Sequence, residues 1–527
     1  MLSGVVAPPS VEPFVVAVVV DAGVAAVVDA TMAGATMVDE GVEGAPDVDV
    51  AEVVRVGTAV AVALEATAPD ATGLTLVVDV SEDTGEPIEP LDEQAHNATP
   101  MLNRARSRRI DSGYATAGDV VGRPARSVSD AHDMVVAARL WGPRASQRRH
   151  DRGESTMKTR TAVIREAPGK WDIVECDVEE PRQGELLVKM VASGLCHSDD
   201  HLCTGDIPVA MYPMAGGHEG AGIVEQVGPN TPGWEVGDHV VMSFLPGCGK
   251  CRWCASGQQN LCDLGATLLA GSRADGSYRM SMDGAPVGQM CGIATFSEHA
   301  LISVDSAVKV DKDLPLDKAC LVGCGVGTGW GSAVNSAQVY PGHTVIIMGI
   351  GGIGINAVQG AAHAGASHVI AVDPVEFKRE KAMELGATHT FKNMQEATEF
   401  AQSVTNGQGA DSAIVTVGVV KGEHVGEAFA AIRKGGTVVV TGLGDLTEVG
   451  VPISLGELTL FQKRLQGSLF GESSPTRDIL MLLEMYRNGR LKLDELVTKT
   501  YTLDTINEGY ADMHAGKNLR GVLIHAS

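Results

Sequence analysis

The sequence predicts an α/β protein in which a doubly wound parallel sheet is joined to a second, mostly β domain. Short runs rich in β-branched and apolar residues recur along the chain, at 344–348, 368–372, 412–417 and 435–442. Stretches with helical character lie between them, and this alternation favours parallel strands with helices on both faces. Short strand signals separated by glycine and proline turns from 161 to 310 predict the β domain.

The glycine motif Gly349-Ile350-Gly351-Gly352-Ile353-Gly354 directly follows the first predicted strand and precedes a predicted helix. We interpret it as a loop that binds the pyrophosphate of a dinucleotide cofactor. Gly349 permits the tight turn, Gly351 lets the backbone approach the phosphates, and Gly354 lets the helix pack closely on the strand. The anion then lies at the helix N-terminus. Because a glycine motif alone is weak evidence, the prediction depends on the flanking strand and helix.

Asp373 predicts which dinucleotide is bound. This carboxylate ends the second predicted strand, 19 residues beyond Gly354. At that distance a carboxylate bonds the ribose 2′-hydroxyl of NAD and repels the 2′-phosphate of NADP. The sequence therefore predicts an NAD-binding Rossmann domain.

Four cysteines within fifteen residues predict a metal site: Cys248, Cys251, Cys254 and Cys262. Zinc takes four tetrahedral ligands in structural sites, where thiolates are its preferred ligands. One alternative is a pair of disulfides, but bridges between such near neighbours would crowd the loop. Another is a zinc module that binds nucleic acid, and the net charge of −25 disfavours it because it repels phosphate backbones. We therefore expect a structural zinc here.

A catalytic zinc would need three protein ligands and one open position. Cys196, His218 and Cys324 can supply two thiolates and one imidazole for such a site. Their spacing alone does not select them from the 15 histidines and 10 cysteines of the chain. The alternative for each of them is a buried residue with a purely structural role.

The chain from Met157 onward resembles the zinc-dependent medium-chain alcohol dehydrogenases. The stretches that carry the resemblance follow one another in one order, at 194–199, 217–219, the four cysteines, 323–325, Thr328-Gly329, the glycine motif and 516–521. Within that family the chain is most like the actinobacterial NDMA-dependent type, in which dimethyl-nitrosoaniline serves as an artificial electron acceptor. The stretches 260–266 and 371–379 carry this narrower resemblance.

The resemblance implies roles for the residues around the reacting metal. Cys196, His218 and Cys324 match the ligands of the catalytic zinc, which would lower the pKa of a bound alcohol. Asp199 matches the carboxylate that orients the histidine ligand and raises its basicity. Glu219 matches the acid behind the metal. Without the resemblance, Glu219 would be interpreted as a solvated turn residue.

The resemblance also implies a proton relay. Ser198 matches the hydroxyl that takes the proton of the alcohol. His201 matches the histidine that passes this proton, through the cofactor ribose, to solvent, and an imidazole is suited to that step. The relay would therefore lie on the stretch that begins at Cys196.

Several further residues are assigned to the cofactor by the resemblance. Lys378 and Arg520 match contacts to the adenosine ribose and to the pyrophosphate, respectively. His197 stands where many relatives carry a pyrophosphate-binding arginine, and a histidine would hold that phosphate more weakly. Thr328 lies in one of the matching stretches and is assigned to the same site. For the basic residues the alternative is a solvated surface position.

The resemblance implies three regions after an N-terminal segment. They are a GroES-like catalytic domain with the structural zinc lobe at 157–325, an NAD-binding Rossmann domain at 326–469, and a C-terminal return to the catalytic domain at 470–527. Residues 1–156 contain neither lysine nor cysteine. They are predicted to be a low-complexity extension that is either disordered or read from a mis-assigned start, with Met157 as the native first residue.

The predicted function is the reversible oxidation of a primary alcohol to an aldehyde. It would use two zinc ions per subunit and NAD, which nicotinoprotein relatives keep permanently bound. One alternative is a thiol-adduct-dependent formaldehyde dehydrogenase. An alternative of another class is a non-catalytic NAD-binding protein on the same fold, which would hold one metal ion rather than two.

The expected partners are small alcohols and aldehydes and further copies of the chain, in a dimer or larger homo-oligomer. Nucleic acid is not expected because of the charge. A membrane is not expected either, since no apolar run approaches the roughly 18–20 residues that span one. Thiols that serve as metal ligands imply a reducing compartment, and we therefore expect a cytoplasmic protein.

Overall fold

The computed structural model describes residues 156–447 and 449–526, together with the backbone of four short strands nearer the N-terminus. The chain divides into two units, Met1–Pro124 and Ala125–Ser527. The strands of the first unit form two antiparallel pairs, β1 (Met37–Val38) with β2 (Val53–Val54) and β3 (Ala61–Glu65) with β4 (Thr75–Asp79). The predictions of a disordered extension or a mis-assigned start otherwise fall outside the described residues.

The first part of the second unit is built from short antiparallel strands, as the sequence predicts. They are β5 (Thr156–Ile164), β6 (Asp172–Glu179), β7 (Glu185–Gly194), β8 (Met214–Ala215), β9 (Gly220–Val227), β10 (His239–Met242), β11 (Met280–Met282), β12 (Ala285–Gln289), β13 (His299–Ser303) and β14 (Ala307–Val310). Strands β11, β12, β8, β5 and β6 close a barrel in that order, with one parallel pair between β12 and β8. Strand β7 pairs with both β9 and β13 in a second sheet, so its apolar residues are buried.

Four helices lie within and after this β region. They are α1 (His197–Thr204), α2 (Arg252–Ala255), α3 (Leu316–Ala319) and α4 (Gly325–Gly331). Helix α1 begins directly after Cys196, and α4 begins directly after Cys324. The two predicted thiolate ligands therefore stand at the N-terminal ends of two helices.

Six parallel strands form the predicted doubly wound sheet. They are β15 (Thr344–Met348), β16 (His368–Val372), β17 (His389–Phe391), β18 (Ala410–Val415), β19 (Ile432–Val440) and β20 (Arg464–Gly467), in the order β17-β16-β15-β18-β19-β20. The first two predicted runs coincide with β15 and β16, whereas β18 and β19 begin and end two or three residues earlier than predicted. The strand order reverses between β15 and β18, which opens a crevice at the carboxyl ends of these strands.

Helices connect the strands of this sheet: α5 (Gly354–His363), α6 (Glu376–Glu384), α7 (Met394–Val404), α8 (Gly422–Ala431) and α9 (Leu455–Leu460). The chain then returns to the first sheet through α10 (Pro475–Arg487), β21 (Val497–Tyr501), α11 (Ile506–His514) and β22 (Arg520–Ile524). Strand β22 pairs with β7, which gives the order β14-β10-β9-β7-β22-β21. This return of the chain is consistent with the predicted domain limits of 157–325, 326–469 and 470–527. These limits stay a prediction.

One hydrophobic core joins the two domains of the second unit. It includes Val241 of β10, Val326 of α4, Ile347 of β15 and Ile479 of α10, all of which are fully buried. Helix α4 contributes to this core and packs against α5 of the parallel-sheet domain and against α10. Among the helices of the described residues, none has both the length and the apolar character to cross a membrane.

Candidate active site

Cys196, His218 and Cys324 come together from three separate segments. Cys196 is the N-cap residue of α1, His218 lies between β8 and β9, and Cys324 is the N-cap residue of α4. Their ligand atoms and one carboxylate oxygen of Glu219 all lie within 4.8 Å of one another, and all four residues are buried. We call the first three residues the thiol–imidazole cluster. Its size and its donor atoms suit a single zinc ion.

Position 217, immediately before His218, requires a glycine. Gly217 has a φ of +91°, in the left-handed region. A Cβ at this position would lie 2.4 Å from the backbone nitrogen of Phe296, which cannot move aside. The Gly217 amide donates to Oδ1 of Asp199 at 2.9 Å. This turn therefore brings the His218 ring and Asp199 together.

Asp199 lies where it can orient the imidazole. Its Oδ2 is 3.0 Å from Nδ1 of His218, which leaves Nε2 as the nitrogen for a metal. Burial raises the pKa of Asp199. Burial also works against the imidazolium form of His218, but the neighbouring charges of Asp199, Cys324 and Cys196 outweigh it and raise the pKa of His218 well above its usual value.

The two thiols of the cluster share a hydrogen bond that shifts their pKa values in opposite directions. A hydrogen bond with Cys324 holds the pKa of Cys196 well below its usual value, and the same bond raises the pKa of Cys324. Because zinc binds cysteine as the thiolate, and metal binding displaces thiol protons, this pair of sulfurs fits a zinc site.

Arg520 links the cluster to the glycine loop. Its Nη2 pairs with Oε2 of Glu219 and donates to the carbonyl of Leu195 at 3.3 Å. The other oxygen of Glu219 accepts the Gly325 amide at 3.1 Å. A Cβ on Gly352 would lie 2.6 Å from Cδ of Arg520, so the arginine stem packs directly on the loop. Arg520, the predicted cofactor contact, therefore forms an ion pair with Glu219, the predicted acid behind the metal. The sequence did not indicate this pair.

The glycine loop has the geometry of a phosphate-binding turn. Gly349 has a φ of +94°, and a Cβ there would lie 2.8 Å from the backbone nitrogen of Val417. A Cβ on Gly354 would lie 1.9 Å from the carbonyl oxygen of Gly349. Gly351 faces open space, since no protein atom lies within 4 Å of its Cβ position. That space lies at the N-terminus of α5 and can receive an anion.

Asp373 lies beside this loop, at the end of β16. Its Oδ2 accepts the Ile350 amide at 2.8 Å, and its Oδ1 accepts the Val375 amide at 2.9 Å. Nζ of Lys378 is 3.9 Å from Oδ2. Both side chains line the same cleft. Each carboxylate oxygen retains a free lone pair, so the site can accept hydrogen bonds from a ribose diol.

Thr328 and His197 also line the cleft. The Thr328 hydroxyl is buried and has no hydrogen-bond partner among the described residues. This is expected of a group that forms its hydrogen bond with a ligand. The His197 ring lies against Gly418, where a Cβ would be 3.1 Å from its Nε2. Burial lowers the pKa of His197 and so disfavours its charged form.

Ser198 and His201 follow Cys196 along α1. The Ser198 hydroxyl is 3.8 Å from Sγ of Cys196, beside the thiol–imidazole cluster. The His201 ring is buried; Nδ1 is 3.0 Å from Oδ2 of Asp206, and Nε2 donates to the carbonyl of Gly418 at 3.1 Å. The sequence did not indicate Asp206. Gly418 could have been found from the sequence, because it directly follows a predicted strand of the parallel sheet, and ligands bind at the carboxyl ends of such strands.

The predicted metal ligands Cys196, His218 and Cys324, the two relay residues and the predicted cofactor residues other than Gly354 line one cleft of 1630 Å³, whereas Asp199 and Glu219 lie behind its surface. The thiol–imidazole cluster and Ser198 reach the cleft from the β domain, and the glycine loop and Asp373 reach it from the parallel-sheet domain. The cleft therefore brings a metal-type donor set and a dinucleotide-type loop to a common space, which is where a hydride could pass between two bound molecules.

The four cysteines of the predicted structural zinc site form a separate cluster within residues 248–262, here called the four-cysteine lobe. Their sulfurs all lie within 4.8 Å of one another and are free, so the alternative of two disulfides is not realised. The Cys248–Cys254 and Cys251–Cys262 sulfur distances are 3.9 and 4.0 Å. Tetrahedral bonds of about 2.3 Å to zinc would place sulfurs about 3.8 Å apart. Backbone amides lower the pKa of Cys251 to about 6, which favours its thiolate.

Known proteins match the chain along the same two domains. Residues 182–312 match the alcohol dehydrogenase GroES-like domain, and residues 352–485 match the zinc-binding dehydrogenase family. The NDMA-dependent alcohol dehydrogenase of Amycolatopsis methanolica is 54% identical over 371 residues, which are 70% of this chain and 100% of that protein. Alcohol dehydrogenase B of Mycobacterium tuberculosis is 49% identical over 368 residues, 70% of this chain and 98% of that protein. The crystal structure of benzyl alcohol dehydrogenase from Acinetobacter calcoaceticus superposes with a TM-score of 0.66 at 31% identity, covering 70% of this chain and 100% of the other.

The fold and the matches define an enzyme of the zinc-binding dehydrogenase class that uses a nucleotide cofactor and acts on a small molecule. The chain belongs to the zinc-dependent medium-chain alcohol dehydrogenase family. The predicted resemblance to the NDMA-dependent members of that family is confirmed, and so is the predicted fold class.

Proposed function

We propose that this enzyme oxidises a primary alcohol to its aldehyde, and catalyses the reverse reaction, with NAD as the hydride acceptor. The observation that carries the proposal is the position of the thiol–imidazole cluster and the glycine loop on one cleft. Arg520 supports it, because this side chain pairs with Glu219 behind the cluster and packs on Gly352 of the loop.

The residues of the cleft can divide the chemistry among them. Zinc at the thiol–imidazole cluster would supply a Lewis acid that lowers the pKa of the alcohol hydroxyl. Ser198, beside Cys196, would accept the hydroxyl proton, and His201 would pass it on. NAD, held by the glycine loop and Asp373, would supply the acceptor for the hydride of the alcohol carbon. Asp199 would keep the His218 ring in place throughout.

The cofactor is proposed to be NAD, and to remain bound between turnovers. Asp373 favours NAD, because a buried carboxylate repels the 2′-phosphate of NADP. Contacts across the cleft support retention. Nε2 of His201 on α1 donates to Gly418 of the opposite domain, and the ring of His197 lies against the same glycine. Release of the dinucleotide would require these contacts to open.

The stoichiometry of zinc and nucleotide tests this proposal. We expect protein purified without added cofactor to release two zinc ions and one NAD(H) per chain on denaturation, and no NADP(H). Elemental analysis and chromatography of the released nucleotide provide the measurement. One zinc per chain, with no alcohol oxidation, would favour the non-catalytic alternative. Glutathione-dependent oxidation of formaldehyde above that of any alcohol would favour the thiol-adduct alternative.

We also propose that two copies of the chain pair through β20. This strand is the last of the parallel sheet, and all four of its residues are exposed. Large apolar side chains are exposed in the strand and in the helix that precedes it: Leu465 of β20 is 40% exposed, and Leu455 and Leu460 of α9 are 74 and 80% exposed. An open apolar edge strand is a template for pairing. Because two identical strands can pair antiparallel about a two-fold axis, a second copy satisfies this edge.

Replacement of Leu460 by glutamate is expected to convert the dimer to monomers. A charge buried in an apolar interface weakens association by on the order of 100-fold. Light scattering coupled to size-exclusion chromatography gives the mass of each species. Val236→Glu is the matched control, since Val236 is 67% exposed in the turn between β9 and β10, far along the chain from β20. A Leu460→Glu protein that stays dimeric, or a wild-type protein that is monomeric, would overturn this assignment.

A further inference from the structure

The four-cysteine lobe forms part of the wall of the cleft. Gln258, Asn260 and Leu261 line the same space as the thiol–imidazole cluster. The lobe is therefore not a remote structural element, although its cysteines form a separate cluster.

The lobe holds the segment 469–476, which follows β20 and ends in the first turn of α10. Nδ2 of the buried Asn260 donates to the carbonyl of Leu469 at 3.1 Å. Oε1 of Gln259 accepts from the hydroxyls of Ser474 and Thr476 at 2.7 and 2.8 Å. The adjacent side chains of Gln259 and Asn260 thus form hydrogen bonds with both ends of this segment.

The middle of the held segment has an unfavourable backbone conformation. Three successive residues, Phe470, Gly471 and Glu472, have φ values of +56°, +64° and +51°. Phenylalanine and glutamate rarely adopt this left-handed region, and such conformations persist only where surrounding contacts enforce them. Asn335 donates to the carbonyl of Gly471 at 2.9 Å on one side, and the lobe supplies the contacts on the other.

The conformation of this segment places an aromatic wall beside a predicted metal ligand. The ring of Phe470, which is 1% exposed, meets Phe244 edge to face with centroids 5.4 Å apart. The ring of Phe244 meets His218 in the same way at 5.7 Å. A displacement of Phe470 would therefore change the apolar space next to His218.

We propose that the four-cysteine lobe positions the substrate wall, with Asn260 and Gln259 as its positioning residues. These two residues hold the segment 469–472 in its left-handed conformation and so fix the positions of the Phe470 and Phe244 rings beside His218. Larger alcohols would contact these rings. The inference rests on the proposed alcohol oxidation, and it adds a role for the lobe in the choice of substrate by size.

Asn260→Asp tests this role, because it keeps the side-chain shape and removes the donor. Hydrogen–deuterium exchange at the amides of Glu472 and Ser473, which donate to the carbonyls of Leu469 and Phe470, reports the segment directly. We expect these amides to exchange about five- to tenfold faster, with two zinc ions still bound. KM for cinnamyl alcohol should rise about fivefold, while KM for ethanol, which is too short to reach the wall, changes less than about twofold.

Ser256→Ala is the matched control within the lobe. Among the residues that the structure describes, its hydroxyl bonds Trp253 and Gln258 within the lobe, so neither exchange nor KM should change. Unchanged exchange in Asn260→Asp would show that the lobe does not hold the segment. Faster exchange with both KM values unchanged would show that the segment does not shape the cleft. Either result overturns the inference.

A second variant covers the case in which Asn260→Asp loses the zinc of the lobe. Phe470→Leu leaves the lobe intact and shortens the wall, and it should raise KM for cinnamyl alcohol without an effect on ethanol. Equal effects on both alcohols would overturn the inference. If the wild-type enzyme oxidises no alcohol, the proposed function fails, while the exchange measurement still decides whether the lobe holds 469–476.

Discussion

Replacement of Cys196 by serine is expected to remove one of two zinc ions per chain and to lower kcat/KM for alcohols by at least about 1000-fold. The physical reason is the loss of one of three thiolate or imidazole donors, and with it a Lewis acid worth several kcal/mol at the transition state. The fold should be preserved. Cys196 is the N-cap residue of α1 but makes no side-chain cap bond, and serine is a favoured residue at that position.

Zinc analysis and steady-state kinetics provide the measurement. Cys203→Ser is the matched control, because Cys203 lies in the same helix but belongs to neither group of metal-type donors in the described chain. It should retain both zinc ions and activity within about twofold. Full zinc content in the Cys196→Ser protein would remove Cys196 from the site.

Replacement of Gly354 by alanine is expected to abolish bound NAD(H). The new Cβ would lie 1.9 Å from the carbonyl oxygen of Gly349 and 2.7 Å from Oγ1 of Thr416. The first of these is backbone at the tight turn, so the loop must move as a whole. Overpacking of this kind costs about 3 kcal/mol, and we expect a loss of activity of about 100-fold together with a lower unfolding temperature.

Gly351→Ala separates the two effects. Its Cβ would meet no protein atom within 4 Å, so the unfolding temperature should not change. The methyl group would instead occupy the space that the cofactor phosphates need, and bound nucleotide should be lost. Thermal unfolding and nucleotide analysis of both variants provide the measurement. Retention of NAD(H) by Gly351→Ala would show that the phosphates lie elsewhere.

The strands around the cofactor loop could be predicted because their signals are local. Strands β15 and β16 coincide with predicted apolar runs, and the loop and Asp373 follow these strands directly. The four-cysteine lobe was equally accessible, since its ligands lie within fifteen residues. In each case the residues that act together are close in sequence, so chain geometry leaves few alternatives.

The thiol–imidazole cluster was different. Cys196, His218 and Cys324 span 129 residues of the chain, and only the resemblance to a family selected them. Their spacing contains no periodicity of a strand or a helix. The structure brings them together because β7, β9 and α4 pack around one core, which no local pattern reports.

By itself the sequence determined the fold class, and its local patterns predicted the dinucleotide loop, NAD as the cofactor through Asp373, and the four-cysteine lobe. Only the tertiary structure decided how these parts are connected. It joined Glu219 to Arg520, His201 to Gly418 and Asn260 to Leu469. The physical reason is that turns and strands follow from neighbouring residues, whereas these pairs are hundreds of residues apart. The first pair depends on the return of β22 to the first sheet, and the other two depend on how the two domains pack across the cleft.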